Sequence, residues 1–163
     1  MPKHPQLTGL ETGLEARIIA PEHCYKNFST RTPIPVEGVF SGSLDDLELW
    51  VLVYTRNWED RLFYPQAPDA CAGAVMRIDE RKGQWDTFVR LGGDGSELFD
   101  IIVAAVEANS ETSQLLREWL QDTCDNPESD LGGLTASALL RVEGQIRELD
   151  TITVRTRPQA TEE

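Results

Sequence analysis

The stretch from Leu47 to Tyr54, which reads LELWVLVY, constrains the fold more than any other part of the sequence. In an extended strand, successive side chains point to opposite faces. One face therefore carries Leu49, Val51 and Val53, and the other carries Trp50 and Leu52. Only Glu48 interrupts the apolar pattern. A strand that is apolar on both faces is typical of the interior of a sheet covered on both sides. The sequence therefore predicts a layered fold built around this strand.

Further short runs of β-branched and aromatic residues follow along the chain, separated by glycine, proline and aspartate. This punctuation is typical of antiparallel sandwiches and barrels, whereas a parallel α/β sheet needs helices between its strands. The run 111–124 instead carries its leucines and Trp119 on one helical face. We predict a mainly β fold. The predicted strands are 15–20, 34–40, 47–54, 61–64, 74–78, 84–91, 98–106 and 151–157, and the predicted helices are 111–124 and 134–149.

The chain has 163 residues, which suffice for one domain with its own core and are few for two. Prolines and glycines dominate residues 1–14, so we expect a flexible N-terminal arm there. We expect a single β-sandwich domain over residues 15–157 and a frayed tail over residues 158–163. No apolar run approaches the roughly 20 residues of a membrane-spanning helix, and we find no secretory signal, so we predict no membrane partner.

Fifteen basic and 28 acidic residues give the chain a formal charge of −13. Binding to nucleic acid phosphates depends on clustered lysine and arginine, so the sequence predicts no nucleic-acid partner. The acidic residues favour a solvated surface and a basic protein partner. A protein that imitates nucleic acid through its negative charge is the alternative. Such a protein should concentrate its acid on one face, whereas here acidic residues are spread along the whole chain.

Three widely spaced cysteines, Cys24, Cys71 and Cys124, form no CxxC pair, so the chain has no zinc signature. We expect reduced, mostly buried thiols in a cytoplasmic protein. In an exported protein one pair could bridge, and the sequence does not choose which. His23 stands beside Cys24, but neighbours in an extended loop point apart. A hydrolase that pairs His23 with Cys71 or Cys124 stays an open alternative.

No GxSxG, HExxH, phosphate-binding loop or GxGxxG motif occurs in the chain, and we predict no cofactor. Acidic turns at residues 45–46, 59–60 and 79–80 and at Asp94 could gather carboxylates for calcium at one end of a sandwich. The pattern is not that of an EF-hand, and acidic turns are common on protein surfaces. We therefore predict no metal site.

A series of short motifs follows the predicted strands and turns, namely Leu49-Trp50, Tyr64-Pro65-Gln66, Gly83 with Trp85, Gly92-Gly93 with Gly95, and Phe99-Asp100-Ile101. This series resembles an immunoglobulin-like accessory domain of bacterial multidomain proteins. There the domain accompanies signalling or conflict modules such as TIR, caspase-like peptidase and nucleotide-triphosphatase domains. The resemblance covers about residues 34–124. It implies an immunoglobulin-like antiparallel β-sandwich of seven or eight strands, with one or two helices before the last strand, and an accessory role without catalytic residues.

The charged turn after the central strand is the best candidate for an interaction surface. Trp58 lies where the strand pattern does not require burial, and Arg61, Tyr64 and Gln66 follow it. Tryptophan, tyrosine and arginine are the side chains that most often dominate protein interfaces. We predict a non-enzymatic recognition module that binds a protein partner through these four residues, accessory to a bacterial signalling or defence-related effector. The alternative is a small-ligand or carbohydrate-binding sandwich that stacks its ligand on Trp58 and Tyr64.

Overall fold

In the part of the protein that the structure describes, eight strands form two antiparallel sheets. The computed structural model describes residues 4–30, 32–56, 59, 61–92, 95–126 and 132–158. The described elements are the strands β1 (Glu15–Ala20), β2 (Ile34–Ser41), β3 (Leu47–Thr55), β4 (Phe63–Gln66), β5 (Arg77–Asp79), β6 (Gln84–Val89), β7 (Leu98–Glu107) and β8 (Ile146–Arg155), with the helices α1 (Glu111–Asp125) and α2 (Ala136–Leu139) before β8. The first sheet has the order β1-β2-β6-β5 and the second the order β4-β3-β7-β8. The prediction of a mainly β fold is confirmed.

Strand β3 is buried on both faces, as its sequence predicts. It lies inside the second sheet, between β4 and β7. One face carries Leu49, Val51 and Val53 into a core between the two sheets. The other face carries Trp50 and Leu52 into a second core, which the helices cover. The second sheet is therefore the middle layer of three.

Helix α1 is fixed onto the second sheet by its apolar face and by one carboxylate. Ser110 caps the helix, because its hydroxyl oxygen accepts a hydrogen bond from the Ser113 backbone N–H at 3.1 Å. Leu120 lies buried in the second core. The Glu48 carboxylate, on β3, accepts a hydrogen bond from the Ser113 hydroxyl at 2.6 Å and pairs with Arg117. The contacts with Glu48 therefore hold the first two turns of α1 against β3.

The second predicted helix, 134–149, is mostly wrong. Only Ala136–Leu139 are helical, capped by the Thr135 hydroxyl. Gly144 then adopts a left-handed φ of 80°, which turns the chain, and from Ile146 onward the backbone pairs with β7. Pairing with a buried strand outweighs the helical propensity of the leucine, arginine and glutamate residues in this stretch.

The N-terminal segment packs against the domain, so the prediction of a flexible arm over residues 1–14 is wrong for its described part. Leu7 and Leu10 are buried. The Glu148 backbone N–H donates to the Leu7 carbonyl oxygen at 2.8 Å, and the Leu10 N–H donates to the Ile146 carbonyl oxygen at 3.1 Å. The physical reason is the edge of β8, whose backbone groups find their partners in this segment. Of the predicted tail, residues 159–163 lie outside the described residues.

The prediction of three reduced, mostly buried thiols is also wrong. Cys71 and Cys124 form a disulfide, with their Cα atoms 5.0 Å apart. Cys24 is free and exposed. The fold brings together two cysteines separated by 53 positions, and spacing alone could not select this pair because disulfide formation depends on tertiary distance.

Strand β2 passes directly beside the indole of Trp85 at Gly38. Trp85 is buried between the sheets, and its Nε1 donates to the Val39 carbonyl oxygen at 3.1 Å. A Cβ atom at Gly38 would overlap both the Arg17 carbonyl oxygen and the Trp85 ring. Glycine is therefore required here by space, since the backbone of β1 and the indole fill the position of a side chain.

We expect Gly38→Ala to lower the free energy of unfolding by about 1–3 kcal/mol, because the added methyl group overpacks the core and forces the strand or the ring to move. Urea unfolding followed by tryptophan fluorescence measures the change. Gly13→Ala is the matched control, because a Cβ atom there meets nothing within 4 Å. Equal stability of the two variants would contradict the packing explanation.

Candidate functional site

A groove of about 770 Å³ lies at one edge of the sandwich, where β4 faces the end of β6. Its lining reaches Val53, Leu91 and Phe99, which belong to the core between the sheets. At the opposite edge β1 lies against β8, and the Asp150 carboxylate accepts a hydrogen bond from the Ile18 backbone N–H at 2.8 Å. The sandwich is thus closed on the β1–β8 side, and the groove occupies the β4 side.

Residues 67–76, which we call the crossing segment, form one wall of the groove. The crossing segment leads from β4 in the second sheet to β5 in the first, and it contains a single 3₁₀ turn, Ala70–Ala72. The Asp69 side chain accepts a hydrogen bond from the Cys71 backbone N–H at 2.9 Å and so caps the turn. Cys71 and Cys124 both line the groove, and their disulfide joins the crossing segment to α1.

Two of the four predicted surface residues, Tyr64 and Gln66, line the groove. The Gln66 side-chain oxygen accepts a hydrogen bond from the Arg90 backbone N–H at 2.9 Å, and its amide nitrogen donates to the Tyr64 carbonyl oxygen at 3.2 Å. Gln66 thereby ties β4 to the residue that follows β6. Arg61 is exposed before the start of β4 and is not part of the lining. Trp58 lies outside the described residues.

Tyr64 and Trp119 form an aromatic wall. Their ring centroids are 6.1 Å apart with an interplanar angle of 81°, an edge-to-face contact that aromatic pairs favour. Trp119 Nε1 donates to the Gly132 carbonyl oxygen at 3.0 Å, which fixes the orientation of the indole. The helical pattern predicts packing for Trp119 but not its place in the groove, because contact between α1 and β4 depends on the tertiary fold.

Several polar groups that line the groove are already hydrogen-bonded within the protein. The Gln66 and Asp69 side chains bond to backbone groups, and the Thr123 hydroxyl donates to the Trp119 carbonyl oxygen at 3.0 Å. Arg90 lies exposed at the rim, and its guanidinium makes no hydrogen bond or ion pair with any side chain in the described parts of the chain. The groove therefore offers apolar and aromatic surface with one charged donor at its edge.

The outer edge of β4 does not offer a backbone ladder to a further strand. Phe63 exchanges two hydrogen bonds with Leu134 there, at 2.8 and 2.7 Å. Two residues later, Pro65 has no N–H to donate, as is common for proline in edge strands. A molecule that enters the groove meets side chains rather than an extendable sheet edge.

A second polar site, which we call the His4 cluster, is buried on the helix side of the second sheet. His4 Nδ1 lies 2.9 Å from the Asp100 carboxylate, and Nε2 lies 2.6 Å from the Glu148 carboxylate. Arg56 Nε donates to the same Asp100 oxygen at 2.9 Å, and the Thr153 hydroxyl donates to the other at 2.8 Å. Because both ring nitrogens face carboxylates, the imidazole is protonated and donates from both.

Burial alone would lower the pKa of His4, but hydrogen bonds to Asp100 and Glu148 outweigh burial and raise that pKa to about 9. Burial would raise the pKa of Asp100, yet hydrogen bonds from His4, Arg56 and Thr153 lower it to about 2. The cluster therefore stays charged at neutral pH. None of its side chains lines the groove. Its role is to fasten the N-terminal segment to the second sheet, and the sequence pattern around His4 carried no sign of it.

The His4 cluster predicts that stability falls in alkaline solution. The pKa of His4 is about 9 in the folded protein and near 6.5 in the unfolded chain, so the ring's contribution is complete below about pH 6.5 and is lost as pH rises through about 9. We expect the stability difference between the wild type and His4→Gln to shrink by about 2–3 kcal/mol over that range. Urea unfolding of both proteins across the range measures it. A difference that stays constant with pH would contradict the charged cluster.

His23 and the cysteines do not form a nucleophile pair in the described structure. His23 Nδ1 accepts a hydrogen bond from the Thr153 backbone N–H at 3.1 Å. Cys71 and Cys124 are bonded to each other and offer His23 no free thiol. In the part of the chain that the structure describes, no three histidine, cysteine, aspartate or glutamate side chains are arranged to hold a metal ion.

Comparison with models of known protein families gives no match, and comparison with curated proteins gives no significant match. Among the described residues, no helix combines the length and the apolar character needed to cross a membrane. The interpretation of the protein therefore rests on its own geometry.

Proposed function

We propose that the protein is a non-enzymatic recognition module that binds a segment of a protein partner in the groove beside β4. The observation that carries this proposal is the groove itself, which combines an apolar floor, the Tyr64–Trp119 wall and Arg90 at the rim. Pockets lined by tyrosine, tryptophan and arginine supply most of the binding energy in many interfaces. Tyr64 and Gln66 link this site to the surface that the sequence predicts.

The occupant that best fits the groove is a short extended segment with a large apolar side chain as its anchor. The blocked edge of β4 favours insertion of a side chain over addition of a strand. The apolar floor at Val53, Leu91 and Phe99 favours an aliphatic or aromatic anchor. The formal charge of −13 favours basic residues around that anchor, because complementary charge speeds encounter and excludes wrong partners.

The fold type and the setting complete the proposal. Two four-stranded antiparallel sheets around a shared core support an immunoglobulin-like sandwich. A role beside a bacterial signalling or defence-related effector rests on the sequence resemblance. The Cys71–Cys124 disulfide supports an oxidising compartment, in place of the cytoplasm that the cysteine pattern predicts, because such bonds persist where thiols are not kept reduced.

Two matched variants on α1 test the groove. Thr123 is half-buried in the lining, whereas Gln121 is exposed outside it. Thr123→Trp should fill the groove, and Gln121→Trp adds the same side chain to the same helix without entering it. Nile red is the probe, because an uncharged apolar fluorophore is not repelled by an acidic protein. Peptides selected from a random display library on the immobilised wild type supply the ligands.

We expect selected peptides to displace Nile red from the wild type and from Gln121→Trp, and to bind Thr123→Trp at least about tenfold more weakly, a change of about 1.4 kcal/mol. Fluorescence titration measures both affinities. Peptides that bind the two variants equally well would place the binding surface elsewhere. Circular dichroism of each variant shows that weakened binding is not a loss of folding.

A second candidate function is binding of a small organic ligand, such as a sugar, in the same groove. The observation that favours it is the volume of about 770 Å³, which lies within the range of small-molecule sites. Stacking on Tyr64 would support affinity for a sugar ring. A glycan array separates the two candidates: sugars that displace Nile red, together with a peptide library that enriches no sequence, would favour the small ligand.

A further inference from the structure

We propose that the Cys71–Cys124 disulfide controls the groove, so that reduction by a dithiol frees the crossing segment from α1 and removes the ligand site. The inference rests on the proposed function of the groove and adds a condition under which the groove is formed. The oxidised protein binds its ligand, and the reduced protein binds it much more weakly.

The disulfide is the strongest link between the crossing segment and the helix. In the described part of the chain, the hydrogen bonds of residues 69–74 all close within the segment. Asp69 accepts from the backbone N–H groups of Cys71 and Ala72, and it pairs with Ala74. Towards the rest of the protein, the middle of the segment packs through the small side chain of Ala70, while Val75 and Met76 pack onto the two cores at the end that leads into β5. Without the covalent link, weak packing alone would hold this wall in place.

The disulfide is open to attack from the groove. Cys71 is exposed, Cys124 is half-buried, and both line the groove. A thiolate of the dithiol attacks the Cys71 sulfur, the bond between the two sulfurs breaks, and Cys124 leaves as a thiolate that takes up a proton. The second thiol of the reductant then attacks the mixed disulfide and releases Cys71. The dithiol gives up two electrons and two protons and becomes a disulfide, while the protein gains two thiols.

The effect of reduction is local because other contacts hold α1 to the second sheet. The Ser110 cap, the burial of Leu116 and Leu120 and the pairing of Glu48 with Arg117 do not depend on the disulfide. The crossing segment stays anchored at its ends by β4 and β5, and only its middle loses its fixed position. A ligand of the reduced protein would have to order this wall again, and that conformational entropy weakens binding.

The experiment uses the Cys24→Ser protein, so that the bridged pair contains the only cysteines that can react. Nile red is titrated into the oxidised protein and into protein reduced with dithiothreitol, and amide hydrogen exchange is followed in both. We expect exchange to accelerate at residues 69–74 and 122–125 while the strands stay protected. We expect Nile red to bind at least about tenfold more weakly after reduction.

The outcomes separate the switch from the proposed function. Equal Nile red affinity in both states, or unchanged exchange at residues 69–74, would overturn the switch and leave the groove proposal in place. Exchange that accelerates throughout the strands would also overturn it, because the effect would then be general unfolding. An oxidised protein that binds no Nile red would overturn the groove proposal and the switch with it. Restored affinity after reoxidation would support the switch.

Discussion

Replacing Asp100 with alanine should lower the free energy of unfolding by about 3–5 kcal/mol, the cost of removing one partner from a buried ion pair. Asp100 is fully buried, and its carboxylate receives hydrogen bonds from His4, Arg56 and Thr153. Without it, the guanidinium of Arg56 loses the carboxylate with which it pairs, and His4 keeps only Glu148. Urea unfolding at neutral pH, followed by tryptophan fluorescence, measures the loss.

An exposed ion pair provides the control for this prediction. Asp86 pairs with Arg77 on the first sheet, where their side chains are 40% and 58% exposed. We expect Asp86→Ala to cost at most about 1 kcal/mol, since water screens such pairs. If Asp100→Ala cost no more than Asp86→Ala, the His4 cluster would not hold the N-terminal segment in place.

Removing the disulfide should have the second large effect. We expect the double substitution of Cys71 and Cys124 by serine to lower the free energy of unfolding by about 4 kcal/mol, because a cross-link over 53 positions restricts the unfolded chain. Many domains have about 5–15 kcal/mol of stability, so we expect the variant to stay folded at room temperature. Urea midpoints of the oxidised wild type and the variant measure the difference.

The free cysteine offers a matched comparison. Cys24 is exposed and bonded to no other sulfur, so Cys24→Ser should change the urea midpoint little. The wild type in dithiothreitol should unfold at the midpoint of the double variant. If the reduced wild type unfolded at the oxidised midpoint, the bridge would not contribute to stability.

Strands β1 and β3 were predictable because their local pattern and their tertiary environment agree, whereas the predicted strand 74–78 overlaps β5 only at residues 77–78 and the predicted strand 151–157 misses the first five residues of β8. Strand β3 carries apolar residues on both faces, and each face is buried in one of the two cores. The predicted strand 15–20 has the bounds of β1, and the predicted helix 111–124 is one residue shorter than α1. Where the local sequence pattern and the tertiary contacts favour different structures, the tertiary contacts decide. At Ile146, pairing with β7 replaces the predicted helix.

The site was predictable only where it follows a strand. Tyr64 and Gln66 stand out in the sequence because they flank Pro65, at the end of an expected strand that contains aromatic residues. Trp119, Arg90 and the disulfide come from elements far apart in the chain, and the packing of β4 against both α1 and the end of β6 brings them to one groove. A single sequence contains no pattern that predicts such a tertiary contact.

The covering of β8 bears on how the protein behaves with other copies of itself. Near its start, the backbone of β8 is hydrogen-bonded to Leu7 and Leu10. Near its end, the backbone of β8 and of the residues that follow it is hydrogen-bonded to Cys24, Tyr25 and Phe28. A shortened chain that began at Glu15 would lose the first of these covers and present bare N–H and C=O groups. Such a chain would tend to join edge to edge and precipitate. Residues 4–14 thus help to protect this edge of β8 from pairing with a second copy of the chain.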